Sequence, residues 1–560
     1  MTVTAAPVPG PRTRARRGAG SGRPAWSFVT FLVALVVASP VIAVVVDGVL
    51  NGREATMPRG LGGMVVTTLL LMTGVGLGTL VVGGGLAWLV TAYRFPGRDV
   101  LVWLLVLPLA MPAYILGFVF LSTFDAAGPV QSLLRDVLGD AVAFSVRSLP
   151  GAIVVMSLSL FPYVYLMARA ALVEQSPTTY DAARSLGAGR RRAFWRVVVP
   201  LARPSLAAGL AIVMMEVLTD FATVQYFGVK TVSVGVYLVW KGSYDFHAAT
   251  QISALVLVFA VAVLAGERLM RGRARFTQRG GRGAGLPAER LTGAHGWAAT
   301  LACLLALAAG FVVPVIRLVG WAVAEARADP EAFVDERFGE YLANSLAVAA
   351  IAATGCVLLS LVMSHAVRIG GGRVVGSAAS VTTFGYAVPG AVVGIGVLLV
   401  FAWADRALEA LGVPNGTGLL VTGSVLGILY AYLVRFLAPA YQAVDASFAK
   451  IAPSMTLSAM SLGAGPLGVL SRVHLPLVRP GVAVALVLVT IDAIKELPIV
   501  LLLRPFGFTT VAVWVYQLAA ENFWQKAALP ALVIVAAATV PVYVLFRQIR
   551  ATDRRDARER

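Results

Sequence analysis

Long apolar runs alternate along this chain with short polar segments rich in arginine. A bilayer core takes about 20 apolar residues per helix. Runs of that length fall near residues 28–50, 62–92, 100–122, 145–171, 205–228 and 248–267, and again near 297–322, 342–368, 377–403, 418–443, 482–504 and 527–549. The pattern predicts an all-α integral membrane protein with twelve transmembrane helices. It also repeats. Ala182-Ala183-Arg184-Ser185-Leu186-Gly187-Ala188-Gly189 returns as Ser458-Ala459-Met460-Ser461-Leu462-Gly463-Ala464-Gly465, and an offset of 276 also relates Pro177 to Pro453, Pro200 to Pro476 and Pro204 to Pro480. Pro112 and Gly117 lie 277 positions before Pro389 and Gly394. One offset held through so many glycines and prolines marks a duplicated unit of half the chain.

Composition agrees: 58% hydrophobic and 13% charged residues, with a mean hydropathy of +0.82, leave too little polar surface for a soluble globule. The net charge of +18 reflects topology rather than nucleic-acid binding. Arginines crowd a leader (1–26), a mid-chain linker (268–296) and a tail (550–560). By the positive-inside rule all three are cytoplasmic, N- and C-termini included. The halves between them, 27–267 and 297–549, then hold an even number of spans each, and six and six make two parallel repeats. This places the acidic stretch from Glu325 to Glu340 outside, as a solvated segment or a docking surface for a delivery protein. The first run is longer than a secretory signal core and is read as a retained span. Cys303 and Cys356 fall in apolar runs and suggest packing, neither a disulfide framework nor a metal cluster.

The repeated segment predicts a helix-turn-helix. Ser176 suits an N-cap, Pro177 a first helical position and Gly187 a left-handed stop, so a helix is expected over 177–186. A second amphipathic stretch, Arg190–Val199, should stop at Pro200. The second copy runs from Pro453 to Leu462, breaks at Gly463-Ala464-Gly465 and ends at Pro476. One such loop per half is a shape that docks two copies of a partner; a membrane-surface helix is the plainer alternative.

Candidate chemistry lies within the spans. Glu216 and Asp220 are four apart and share a helical face, as do Asp492 and Glu496. The offset of 276 maps one pair onto the other. Ionisable groups inside membranes usually face a bundle interior or a watery cavity. Four carboxylates against Lys495 suit a cation on a translocation path, and carboxylate oxygens suit a hard ion. The same groups also fit a buried ion-pair lock, Lys495 with Glu496 or with a carboxylate of the other half, or a gate near the outer end. His247, near Tyr244 and Asp245, is more simply a surface residue than a ligand, and His474 is expected to touch a cytoplasmic partner. No metal-ligand set stands out, and no nucleophile-base set argues for a membrane enzyme.

The loops resemble the EAA loops of ABC-transporter permeases. Asp181-Ala182-Ala183 stands in place of Glu-Ala-Ala, with Gly187 and Pro200 in register. Leu457-Ser458-Ala459 departs from the pattern while Gly463, Leu475 and Pro476 keep it, which suggests two unequal docking sites. The run from Met215 to Gly228 with Tyr237 and Trp240, and that from Lys495 to Phe508 with Tyr516, resemble the fused two-half ferric-iron permeases, which are related to thiamine permeases. The resemblance implies a type I ABC importer permease fold in the cell membrane, two copies of a cytoplasmic ABC ATPase carrying ATP and Mg, and an extracytoplasmic ferric-iron-binding protein. It further implies ATPase coupling through Asp181, Ala182, Ala183, Gly187, Pro200, Ser458, Ala459, Gly463 and Pro476. The chain has no G-x-x-x-x-G-K-[ST] phosphate loop, so no cofactor is expected on this subunit and ATP hydrolysis belongs elsewhere. A thiamine or other small-solute permease is an alternative cargo reading, and a proton-coupled secondary transporter a rival class.

Overall fold

The computed structural model describes residues 23–51, 60–139, 144–174, 183, 185–187, 189–242, 245–271, 289–330, 336–369, 372–413 and 423–558. In lipid every backbone polar group must be satisfied within the protein, which favours helices. The described residues are helical but for turns and one two-residue strand pair. Eleven helical stretches among them are long and apolar enough to cross a membrane, and the helix Trp524–Arg558 adds a shorter apolar one over Trp524–Val540.

The duplication is visible element by element. Helices α1 (Arg23–Leu50), α2 (Leu61–Ala92), α3 (Ala113–Phe124), α4 (Leu149–Glu174) and α5 (Val199–Thr219) are followed by the short α6 (Ala222–Tyr226), then α7 (Val232–Gly242) and α8 (Phe246–Arg271). The second half has α9 (Gly293–Ala328), α10 (Glu336–Arg368), α11 (Gly390–Ala410), α12 (Val425–Phe448), α13 (Pro453–Ser461), α14 (Leu475–Ile494), α15 (Pro498–Leu503), α16 (Val511–Ala520) and α17 (Trp524–Arg558). Starts of α4 and α12, of α5 and α14, and of α6 and α15 are each 276 apart.

Two expectations change. Pro200 and Pro476 do not stop a helix. Each sits in the first turn of α5 or α14, directly after a π-turn, Phe194–Val198 or Leu470–His474. A π-turn shifts the hydrogen-bond ladder by one residue, which suits a proline that has no N–H to give. Pro314 follows the π-turn Ala308–Val312 in α9 the same way. The third and fifth runs of each half, expected as continuous helices, are also broken. Pro112 (ψ 139°) and Pro389 (ψ 139°) hold extended backbone ahead of α3 and α11, after short helical pieces. The fifth runs break at Asp220 and at Lys495–Leu497, directly past the apolar helices Phe194–Thr219 and Pro466–Ile494. Of the first loop, Asp181 and Ala182 lie outside the described residues, as does most of the helix expected over 177–186.

The halves are interleaved. α1 packs on α10 and α11 of the other half. Tyr430 of α12 donates to the Val36 carbonyl at 2.8 Å, and its hydroxyl meets Ser39 Oγ at 2.6 Å. Gly396 is required there, because a Cβ would lie 2.4 Å from the Pro40 carbonyl oxygen. α9 reciprocates: Gly310 lies against Pro108 and the Leu158 carbonyl of the first half. The linker end is tied back too, since β2 (Glu289–Arg290) pairs in parallel with β1 (Tyr93–Arg94).

Candidate functional site: a charged chamber between the halves

The breaks in α5 and α14 put carboxylates at helix ends in the middle of the bundle. Asp220 caps α5, and its carboxylate turns to the start of α6, accepting from the Thr223 N–H at 2.9 Å and from the Thr223 hydroxyl. Glu496 does the same job 276 positions on, with Oε1 accepting from the Ile499 N–H at 3.4 Å ahead of α15. A short helix N-terminus welcomes a negative group, so the break and the acid belong together.

Glu216, Asp220, Asp492, Lys495 and Glu496 all line one cavity of about 110 Å³, with Tyr114, Tyr163, Tyr386 and Arg435 on its other walls. Lys495 Nζ meets Asp492 Oδ1 at 2.7 Å, not Glu496 as one reading of the sequence had it. Glu496 pairs instead with Arg435 of α12 at 3.6 Å, both residues being buried. Arg435 was missed by a count that set four carboxylates against Lys495 alone; the signal was a single arginine inside the apolar run 418–443. Its counterpart 276 positions earlier is Ser159, which donates to the Met111 carbonyl at 3.1 Å. The pair explains Gly390 as well: a Cβ there would lie 2.5 Å from Arg435 Nη1 and 2.7 Å from Glu496 Oε1. Glu216 and Asp220 make no ion pair among the described residues. With all six groups ionised, four carboxylates and two cations leave the chamber with two negative charges. No group of three or more His, Cys, Asp or Glu residues among the described ones is arranged to hold a metal ion.

An aromatic layer covers one side of this chamber. Phe221 lines the cavity and packs on Tyr237 (ring centroids 4.9 Å apart) and on Tyr516 of the other half (5.8 Å). Tyr516 donates to Gln225 Oε1 at 2.8 Å, and Tyr226 to the Tyr516 carbonyl at 3.3 Å, so two hydrogen bonds cross between the halves. Beyond the layer lies a second cavity of about 430 Å³, walled by Tyr237, Trp240, Lys241, Arg504, Tyr516 and Glu521. The two long sequence signatures thus meet around one layer.

The loop residues lie elsewhere. Gly187 and Gly463 both take φ +85°, the left-handed region that glycine tolerates. The leucines before them, Leu186 and Leu462, are 88% and 89% exposed, a large apolar tip on each loop. Ser458 and Ala459 lie on α13, and Ala183 is helical. His474 is fully buried, contrary to the expectation that it meets a partner, and His247 faces Asp47 of α1 at 3.6 Å.

Residues 74–271 match the family described as the binding-protein-dependent transport system inner membrane component. The match covers about a third of the chain and takes in Glu216, Asp220 and the first repeated loop. The chain's fold is that of type I importers, and the 276-residue repeat builds the same plan twice in one chain. The chain is 24% identical over 531 residues to the Fe(3+)-transport system permease protein FbpB 2 of Haemophilus influenzae, covering 93% of this chain and 98% of that one. It is 28% identical over 197 residues to the sulfate transport system permease protein CysT of Salmonella typhimurium, covering 34% and 68%. Over 141 residues it is 33% identical to the molybdenum transport system permease protein ModB of Escherichia coli, covering 25% and 60%. The eleven helices among the described residues that are long and apolar enough to cross a membrane make the chain a multi-pass membrane protein, and the relatives it matches are permease proteins of transport systems.

Proposed function

We propose that this permease carries ferric iron inward by alternating access, driven by two copies of a separate ATPase and supplied by an extracytoplasmic binding protein. The observation that carries the cargo reading is the chamber's charge. Sulfate and molybdate are oxyanions, and both cations facing the chamber are already held by carboxylates while Glu216 and Asp220 stand without an ion pair. A hard cation gains from those oxygens. The absence of a chelating cluster among the described residues suits passage rather than capture. A relative matched along nearly its whole length is named for Fe(3+), whereas the sulfate and molybdenum relatives match less than half of this chain. In this reading the termini and the loops at 177–200 and 453–476 face the cytoplasm, and the exposed leucine tips seat in the ATPase. The test is uptake of radioactive ferric iron into proteoliposomes holding the permease, its ATPase and its binding protein, with sulfate, molybdate and thiamine in parallel. Iron uptake that requires ATP supports the proposal. Uptake of an oxyanion or thiamine alone overturns the cargo, and uptake driven by a proton gradient without the ATPase overturns the class.

A further inference from the structure

The second loop is fastened to the bundle by a buried chain of side-chain hydrogen bonds. His474, closing the π-turn before α14, and His365, near the end of α10, are both fully buried, with Nδ1 facing Nδ1 at 2.9 Å. The Nε2 of His474 lies 3.0 Å from Thr456 Oγ1, the buried side chain of α13. One turn past His365, the Arg368 guanidinium donates to the Ile451 carbonyl, just ahead of α13. The entry, body and exit of the loop helix are therefore all attached to one end of α10. Trp26 and Phe448 close over the rings edge-on, at 4.9 Å from His365 and 5.1 Å from His474. In the first half, 276 positions earlier, stand Leu89 and Val198, and the first π-turn is held by ring packing of Phe194 on Trp88 at 4.5 Å.

The chain has a strict proton requirement. One proton must lie between the two Nδ1 atoms, one ring donating and the other accepting. Either neutral arrangement leaves His474 Nε2 able to bond Thr456, whose hydroxyl both donates and accepts. With both rings protonated, two N–H donors confront each other and the link is lost. The charged groups near the pair are Arg368 on α10 and, beside it, Asp445 on α12; α1 and α13 present Trp26 and Thr456.

We propose that His365, His474 and Thr456 form a proton-sensitive clamp that holds the second loop helix to α10 and lets it go when both imidazoles are charged. It rests on the reading that this loop transmits the ATPase's motion, and it makes the transmission fail in an acidified cytoplasm. The three are positioning residues: none reaches the chamber. The experiment uses the full permease reconstituted with its ATPase and binding protein and reads ATP hydrolysed per ferric ion taken up, as the pH on the ATPase side drops from about 7.5 to about 4.5, past the ordinary histidine range because burial and the neighbouring Arg368 oppose a second charge. The unmodified permease should lose coupling by about fivefold on acidification, the factor that one net hydrogen bond sets. His474→Phe keeps the ring and should show the raised ratio at both pH values with no further response. Thr456→Val removes one link without touching either ring, so it carries the test should the histidine variant not fold, and it should raise the ratio at neutral pH. Variants that keep the original ratio and its pH response overturn the clamp. Gly187→Val and Gly463→Val run alongside: if these leave coupling intact the loop reading itself fails, whereas if they uncouple and the clamp variants do not, only the clamp is wrong.

Discussion

The two halves share a backbone plan and differ in how they treat charge. In the first, Glu216 and Asp220 face the chamber without an ion pair, and Ser159 occupies the place of an arginine. In the second, Asp492 is tied to Lys495 and Glu496 to Arg435. The loops differ in parallel, ring packing on one side and a histidine chain on the other. Duplication thus kept what the fold needs, the prolines, π-turns and helix breaks, and let the side chains divide the work. One half keeps its two carboxylates outside any ion pair among the described residues, and the other supplies an internally neutralised wall.

That contrast can be broken most severely at Arg435. Replacing one partner of a buried ion pair leaves the other charge stranded, at about 3–5 kcal/mol. Arg435→Met should sharply lower the thermal unfolding temperature of the purified permease, and the double variant Arg435→Met/Glu496→Gln should recover most of the loss; a single variant as stable as the parent would show that the pair is not a structural tie. A smaller effect is expected from neutralising the free carboxylates. Glu216→Gln should slow iron uptake without lowering the unfolding temperature, because no ion pair is broken, whereas Asp492→Asn should lower both by releasing Lys495. Equal stability losses in the two would erase the distinction between halves. The smallest effect concerns the layer that joins them: Tyr516→Phe removes one hydrogen bond to Gln225, worth about 1 kcal/mol, and should raise passive ion leak through empty proteoliposomes while unfolding barely changes.

The sequence made parts of this legible for definite reasons. Glycine and proline positions survive duplication because backbone geometry demands them, so the repeat, the helix count and the left-handed Gly187 and Gly463 could be read directly. The acids at 216, 220, 492 and 496 stood out because charge within apolar runs is costly. Arg435 escaped notice as a single charge in a long run, and its partner Glu496 lies 61 positions away. The histidine chain joins residues 109 apart, and no local pattern announces such a pairing. Pro112 and Pro389 were visible as repeat markers, but their effect as helix breaks was overlooked because the flanking residues are uniformly apolar. The crossing of α1 onto the other half rests on Pro40, Gly396 and Tyr430, a tertiary match with no periodicity of its own.

That crossing has a consequence for how the protein is made. α8 covers one flank of α1, but the surface that receives the other is built by residues beyond 336, so a nascent chain exposes that flank while some three hundred further residues are synthesised. At ribosomal speeds this delay is on the order of tens of seconds. During it α1 must be shielded by lipid or the insertion machinery, and a ribosome that stalls in the linker releases a half-permease whose first helix is seated on α8 alone.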